Sequence, residues 1–207
     1  MPFYLKEKNI VPQTAGLQSV LIVPCGFCPA ASLSVRDKKP YIELFRKFLR
    51  TEVYDSFIEV LRRRLEERGI KTDVFEIRLP HHFIACMWTS GRREKLAKRS
   101  AGFDGVLVLG CDAVVENVRN HIRSNNFRVI QGMEAEGIMN VIPEVSFPFN
   151  ISLVVQGITS VKEKTSNELR ETINALTSSF QHEASEVAML QHHSSARISA
   201  TNLEENF

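Results

Sequence analysis

Val20-Leu-Ile-Val-Pro-Cys25-Gly-Phe-Cys28-Pro29 is the stretch on which the fold turns. Four apolar residues of high strand preference run into a proline, and a Cys-x-x-Cys pair follows at once. Gly105-Val-Leu-Val-Leu-Gly-Cys111 repeats the arrangement, an apolar run ending in a cysteine. Apolar runs of this length without polar alternation read as strands buried on both faces, as in a parallel sheet. Right-handed crossovers then bring the ends of both strands, and so Cys25 and Cys111, to one edge of the sheet. Open α/β sheets place their sites at that edge.

Outward from these strands the chain alternates. Residues 18–23 form the first strand, and 24–40 a loop that holds the cysteine pair. A long helix is expected over 40–68, with Leu44, Phe45, Phe48, Phe57, Ile58, Leu61 and Leu65 mostly three and four residues apart. Gly69 suits its cap. Residues 72–79 alternate polar and apolar, a second strand stopped by Pro80. A short basic helix over 92–100 leads into the third strand, 103–109. A helix over 112–122 follows, with Val114, Val115, Val118 and Ile122 on its apolar face. Residues 127–131 make a fourth strand. The alternation predicts an α/β fold, a flavodoxin-like parallel sheet with flanking helices.

The remaining segments are an irregular N-terminal arm over 1–18 and a β-rich segment over 133–160 whose three apolar runs have no evident pairing. Thr165 and Glu168 form a capping-box pattern opening a C-terminal helix over 166–191. Its 4-3 apolar spacing, from Leu169 through Leu190, suggests packing on its own domain or a homo-oligomeric seam. A loose tail starts at His192. The expected division is a cysteine-site domain over 1–160 and a C-terminal helix and tail over 161–207.

Composition narrows the function class. A net charge of +2 argues against nucleic-acid binding driven by bulk charge. No apolar run approaches the ~20 residues that span a bilayer. The N-terminus lacks the apolar core of a signal peptide, so a cytoplasmic location is expected. In a reducing compartment, four cysteines point to metal or redox chemistry rather than disulfides.

The four are Cys25, Cys28, Cys86 and Cys111. Cys86 follows the apolar Phe83-Ile84-Ala85. Two cysteines two residues apart can grip a metal from a tight turn, and two distant ones can complete a four-thiolate shell. Iron–sulfur clusters and structural zinc both accept such a set. Gly26 leaves room for the backbone to bend, and Phe27 is placed to shield a bound group. The bland reading is that Cys86 and Cys111 are small buried apolar residues and only the pair is reactive. A thiol–disulfide oxidoreductase using Cys25 and Cys28 is a third reading, though it needs an exposed first cysteine of low pKa at a helix start.

Other residues carry weaker signals. His81 and His82 lie near Cys86 but read first as loop histidines, and His192-His193 as incidental. Trp88 suits either the core or a cover for the site. Arg92, Arg93, Lys95, Lys98 and Arg99 make a basic cluster, ordinarily a solvated helix face and alternatively a docking patch for an acidic redox partner. Glu134 and Glu136 read as a strand edge. No phosphate loop is present.

A strand, a Cys25-x-x-Cys28 turn, Cys86 with a following Gly91-Arg92, and Asp104-Gly-Val-Leu-Val-Leu-Gly-Cys111 together resemble the iron–sulfur delta-subunit family of methyl-viologen-reducing hydrogenases. That family hands electrons to heterodisulfide reductase. The resemblance is distant and covers roughly residues 19–125, with the last segment nearest. The long gap after Cys28 and the Asp-Ala-Val-Val-Glu after Cys111 depart from the family pattern. The resemblance implies a [2Fe–2S] cluster on Cys25, Cys28, Cys86 and Cys111, with electron transfer in a heterodisulfide-reductase-like complex. Zinc on the same four cysteines, in a non-catalytic interaction module, is the alternative.

Overall fold

The computed structural model describes residues 2–43, 51–77, 82–122, 127–147 and 150–161. The chain divides at Val161, and the described residues belong to the first unit. The expected C-terminal helix and tail lie outside them, as do His81, His192 and His193.

The described residues form eight strands and five helices in the order β1 (Phe3–Glu7), α1 (Val11–Thr14), β2 (Ser19–Pro24), α2 (Cys28–Asp37), β3 (Ile42–Glu43), α3 (Glu52–Glu66), β4 (Lys71–Val74), α4 (Ser90–Ser100), β5 (Gly105–Leu109), α5 (Asp112–His121), β6 (Arg128–Gln131), β7 (Met133–Ser146) and β8 (Asn150–Ser160). A single 3-10 turn, Ala85–Met87, precedes α4.

The parallel sheet has the order β4-β2-β5-β6. This is the flavodoxin-like order: the chain steps from β2 to one side, returns across it to β5, and continues to β6. Val20, Leu21, Ile22 and Val23 are wholly buried, as are Val106, Leu107 and Val108, so the continuous apolar runs mark its two central strands. Crossovers in opposite directions place α3 on one face and α4 and α5 on the other. Asp104 fixes the start of β2, accepting from the Gln18 N–H at 2.9 Å and the Ser19 N–H at 2.8 Å. Among the described residues no helix is long and apolar enough to cross a membrane.

Four expectations need correction. The loop over 24–40 contains α2, with Pro29 in its first turn, where a missing N–H costs no helical hydrogen bond. Lys38, in the left-handed region at φ 51°, ends it. The helix expected from residue 40 starts at Glu52, where the Thr51 hydroxyl accepts from the Tyr54 N–H and caps it. Before it, the chain pairs with β8 through Ile42 and Glu43; Leu44, Phe45 and Phe48 lie outside the described residues. The irregular N-terminal arm contains β1, which pairs antiparallel with β7.

The three runs over 133–160 are one long hairpin. β7 passes through Pro143 without a break and pairs with β8 from Gly137–Ser160 to Ser146–Asn150. The resulting antiparallel sheet, β1-β7-β8-β3, packs against α2. Ser32 on α2 ties the two together, its hydroxyl accepting from the Leu5 N–H at 2.8 Å.

Candidate four-cysteine site

The direction of travel reverses between β2 and β5, and the crevice beyond their carboxyl ends is where such sheets bind ligands. Pro24 lies opposite Leu109, and the Cys25 N–H extends the pairing to the Leu109 carbonyl at 2.9 Å. Cys25 therefore stands at the tip of β2. Cys28 opens α2, and Cys111 is the N-cap residue of α5. Two ten-residue helices thus start at the crevice, and each contributes partial positive charge from its N-terminus.

Cys86 arrives from a third direction, on the 3-10 turn. That turn is fastened from both sides. The Gly26 N–H donates to the Phe83 carbonyl at 2.8 Å, and the Asn117 side chain on α5 donates to the Ala85 carbonyl at 2.8 Å. The Ala85 N–H donates to Cys25 Sγ at 3.5 Å. Gly26 is required here because a Cβ would sit 2.3 Å from the Phe83 ring.

All four cysteines are free thiols. Cys25, Cys28 and Cys111 are buried, and Cys86 is exposed. Each lies within the electrostatic field of another: Cys25 feels Cys86 and Cys111, Cys28 feels Cys25 and Cys111, and Cys86 feels Cys111. The hydrogen bonds of Phe83 and Ala85 put the turn that carries Cys86 at the same edge as Cys25 and the start of α5.

The environments differ sharply. Burial raises the Cys25 thiol to about 11, against the opposing N–H groups of Phe27 and Ala85. Cys28 is raised first by the neighbouring Cys111 thiol and then by burial. Cys111 is lowered to about 6, first by the neighbouring Cys28, with help from the backbone amides of Val114 and Ala113. Its sulfur forms no geometrically complete cap hydrogen bond, so the amides act there as dipoles. Partial burial, then Cys111, raises Cys86.

Among the described residues, no three Cys, His, Asp or Glu side chains converge closely enough to hold a single ion. Ligation would need the thiols to draw together or to be shared between two metal atoms. The donor chemistry otherwise suits a sulfur-ligated group: four thiols, two helix N-termini, and a wall of Phe27, Phe83 and Tyr41. Phe27 meets Tyr41 and Phe83 edge-on, with ring centroids 6.5 Å away in each case.

The weaker candidates lie elsewhere. His82 is buried, and its carbonyl accepts from Trp88 Nε1 at 2.8 Å. Trp88 is a core residue rather than a cover: Arg92 lies over it at 5.2 Å and over Phe75 at 3.8 Å. Arg92 is thus turned inward, donating to the Glu76 carbonyl, while Arg99 pairs with Asp73. The basic cluster is therefore not one face; Lys95 and Lys98 are its exposed lysines. Glu134 and Glu136 pair with Lys8 and Lys6 across β7 and β1, at 4.0 Å and 3.3 Å. Sequence reasoning missed Tyr41, Asn117 and Tyr54, whose hydroxyl donates to the Leu109 carbonyl at 3.4 Å, the same carbonyl that accepts from the Cys25 N–H. Tyr41 was hidden in the helix expected over 40–68, and nothing in the local pattern marks Tyr54 or Asn117 as neighbours of the cysteines.

No family model, curated protein or solved structure matches the chain.

Proposed function

We propose that this protein is an iron–sulfur electron-transfer protein or subunit, with Cys25, Cys28, Cys86 and Cys111 as ligands of a [2Fe–2S] cluster. The observation that carries the reading is that four free thiols lie toward one edge of a parallel sheet, three of them buried, with Cys28 and Cys111 at two helix N-termini. Such a cluster takes up and returns an electron. The protein's residues would hold negative charge and set its energy. The Ala85 N–H already donates to Cys25 Sγ, and hydrogen bonds to sulfur are among the factors that set cluster potentials. The aromatic wall keeps water from one side. By the resemblance given above, the partner would be a redox protein of a heterodisulfide-reductase-like complex, with exposed Lys95 and Lys98 suited to an acidic face.

The test is anaerobic preparation with iron and sulfide. A visible absorption band, with iron and acid-labile sulfide near two per chain, is expected, and serine at any of the four positions should abolish it. Cys86→Ser is the most informative, since Cys86 alone is exposed. Full iron and sulfide retention in that variant removes Cys86 from the ligand set. Colourless protein with stoichiometric zinc would replace the cluster by a structural metal.

A second reading is a dithiol site on Cys28 and Cys111, whose thiols shift in opposite directions, Cys28 up and Cys111 down. It would use these two rather than Cys25 and Cys28, because Cys25 and Cys28 are both buried and both raised. Metal-free protein that forms a Cys28–Cys111 disulfide on reducing a small disulfide substrate would establish it.

A further inference from the structure

β8 is paired along its length on one side and only at its start on the other. β7 lies against the first side from Asn150 to Ser160. On the second side β3 pairs with Asn150 and Ile151, and the Tyr41 N–H donates to the Ile151 carbonyl at 2.7 Å. Among the described residues no strand lies on that side from Ser152 to Ser160. In an antiparallel ladder alternate residues turn their N–H and C=O away from the neighbour, so this edge presents backbone donors and acceptors ready for another strand.

Free edges are ordinarily blunted by charge, proline or a bulge. The hairpin's other edge follows that rule. β1 pairs with β7 as far as Ile138, and beyond it β7 carries Pro143 and Glu144. β8 has neither device: Asn150–Ser160 contains no charged residue and no proline, and Ile151, Val154, Val155, Ile158 and Thr159 are all β-branched. The edge is accessible, with Gln156, Gly157, Ile158 and Thr159 exposed. Its one irregularity is a bulge. Asn140 pairs with Gly157 and Val141 with Val155, which leaves Gln156 without a partner on β7. The bulge divides the free edge into Ser152–Val155 and Gly157–Ser160, two pieces of equal length.

We propose that β8 pairs antiparallel with β8 of a second copy of this chain, about a two-fold axis at Gln156, so that two antiparallel sheets become one. A two-fold axis presents the same edge from both copies, and an antiparallel pair of identical strands is self-complementary. With the axis at Gln156, Ser152–Val155 of one copy lies along Gly157–Ser160 of the other, and the two bulges meet at the centre. Val154 then stands opposite Ile158, a β-branched cross-strand pair. No charge on either strand opposes its mate. The equal pieces favour a second copy over an unrelated extended peptide, for which the position of the bulge would have no meaning.

The test is sedimentation of the full chain over a range of concentrations, with amide hydrogen exchange measured at both ends of the range. Reductant is kept present, so that disulfides through the exposed Cys86 cannot mimic association. The expected result is a dimer, with exchange over Ser152–Ser160 slowing about tenfold as it forms. Ile158→Lys puts a charge on the edge at a residue 45% exposed, and should be monomeric where wild type is dimeric. Val145→Lys, away from that edge, should remain dimeric. A chain monomeric throughout overturns the proposal. A dimer whose β8 amides exchange as in the monomer also overturns it, because the interface then lies elsewhere. So does an Ile158→Lys variant that dimerises like wild type. Slow β8 exchange already present in the dilute monomer would show the edge covered within one chain, and overturns it as well. Should Ile158→Lys melt below the wild-type monomer, the concentration dependence of β8 exchange in wild type decides.

Discussion

The two sheets of this protein bury their strands in opposite ways. Every residue of β5 is buried, and β2 is buried from Val20 onward. β7 starts with alternation, Met133, Gly137 and Met139 inward, and then leaves the core: Ile142, Val145 and the following Phe147 are 50%, 72% and 92% exposed. The parallel sheet is a core covered on both faces, and its edge holds the four cysteines. The antiparallel sheet covers α2 at one end and projects its hairpin at the other. Cys25, Cys28 and Cys111 are buried at the edge of the more completely buried sheet, Cys28 and Cys111 at the starts of α2 and α5, while Cys86 is exposed.

Substitutions can break this contrast. The largest expected effect is Leu107→Ala, in the wholly buried middle of β5. It should destabilise the fold by about 2–5 kcal/mol through lost burial and the cavity left behind. Urea unfolding followed by circular dichroism reads it, and a cost near zero would mean that β5 is not a central strand.

Gly26→Ala comes next. The new methyl meets the Phe83 ring at 2.3–2.5 Å, and overpacking of this kind costs about 1–3 kcal/mol. The strain falls on the segment that carries Cys86, so metal loading should weaken along with the melting temperature. A variant with lowered stability but normal loading would separate Gly26 from the site.

A smaller effect sharpens the contrast through pH. In metal-free protein the Cys111 thiol is held at about 6, below the ordinary thiol value of about 8.5. A lowered acid contributes stability that is fully present above its unfolded pKa and is lost as pH falls through the folded one. Metal-free protein should therefore lose this contribution between about pH 8.5 and 6, and Cys111→Ser should remove that part of the slope. Equal slopes would mean that Cys111 carries no thiolate in the empty fold. Least of all should change in Val145→Ala, at the exposed end of β7, where a shift within about 0.5 kcal/mol is expected. A larger loss would show that the hairpin tip is covered in solution.

The same contrast governs what could be read from the chain. Val20–Val23 and Val106–Leu109 announce themselves because burial on both faces demands unbroken apolar side chains. From these two strands follow the sheet order, the switch point and the placing of Cys25 and Cys111. α5 was legible from Val114, Val115 and Val118, all buried. α2 was not, because most of its residues, from Cys28 to Ser34, are buried and show no amphipathic stripe. The β7–β8 pairing was hidden by Pro143, which sits at the exposed end of the hairpin. Cys86 was the least secure site residue, since its approach depends on the Phe83 and Ala85 hydrogen bonds rather than on a strand. Tyr41 meets the Phe27 ring while its backbone pairs with Ile151, a contact far away in sequence.

The pairing of β1 with β7 also orders events during synthesis. Cys25, Cys28, Cys86 and Cys111 all precede β7, whereas β1, made before any of them, waits for Ile138 before Phe3 can pair. At roughly 5–20 residues per second that wait is on the order of ten seconds. Through it, the cysteine edge is translated while the flank beside Cys28, where the Phe3 amide and Ser32 meet, still lacks its outer strand. A nascent chain thus passes through a stage in which its four thiols exist while the strand beside Cys28 is still unpaired.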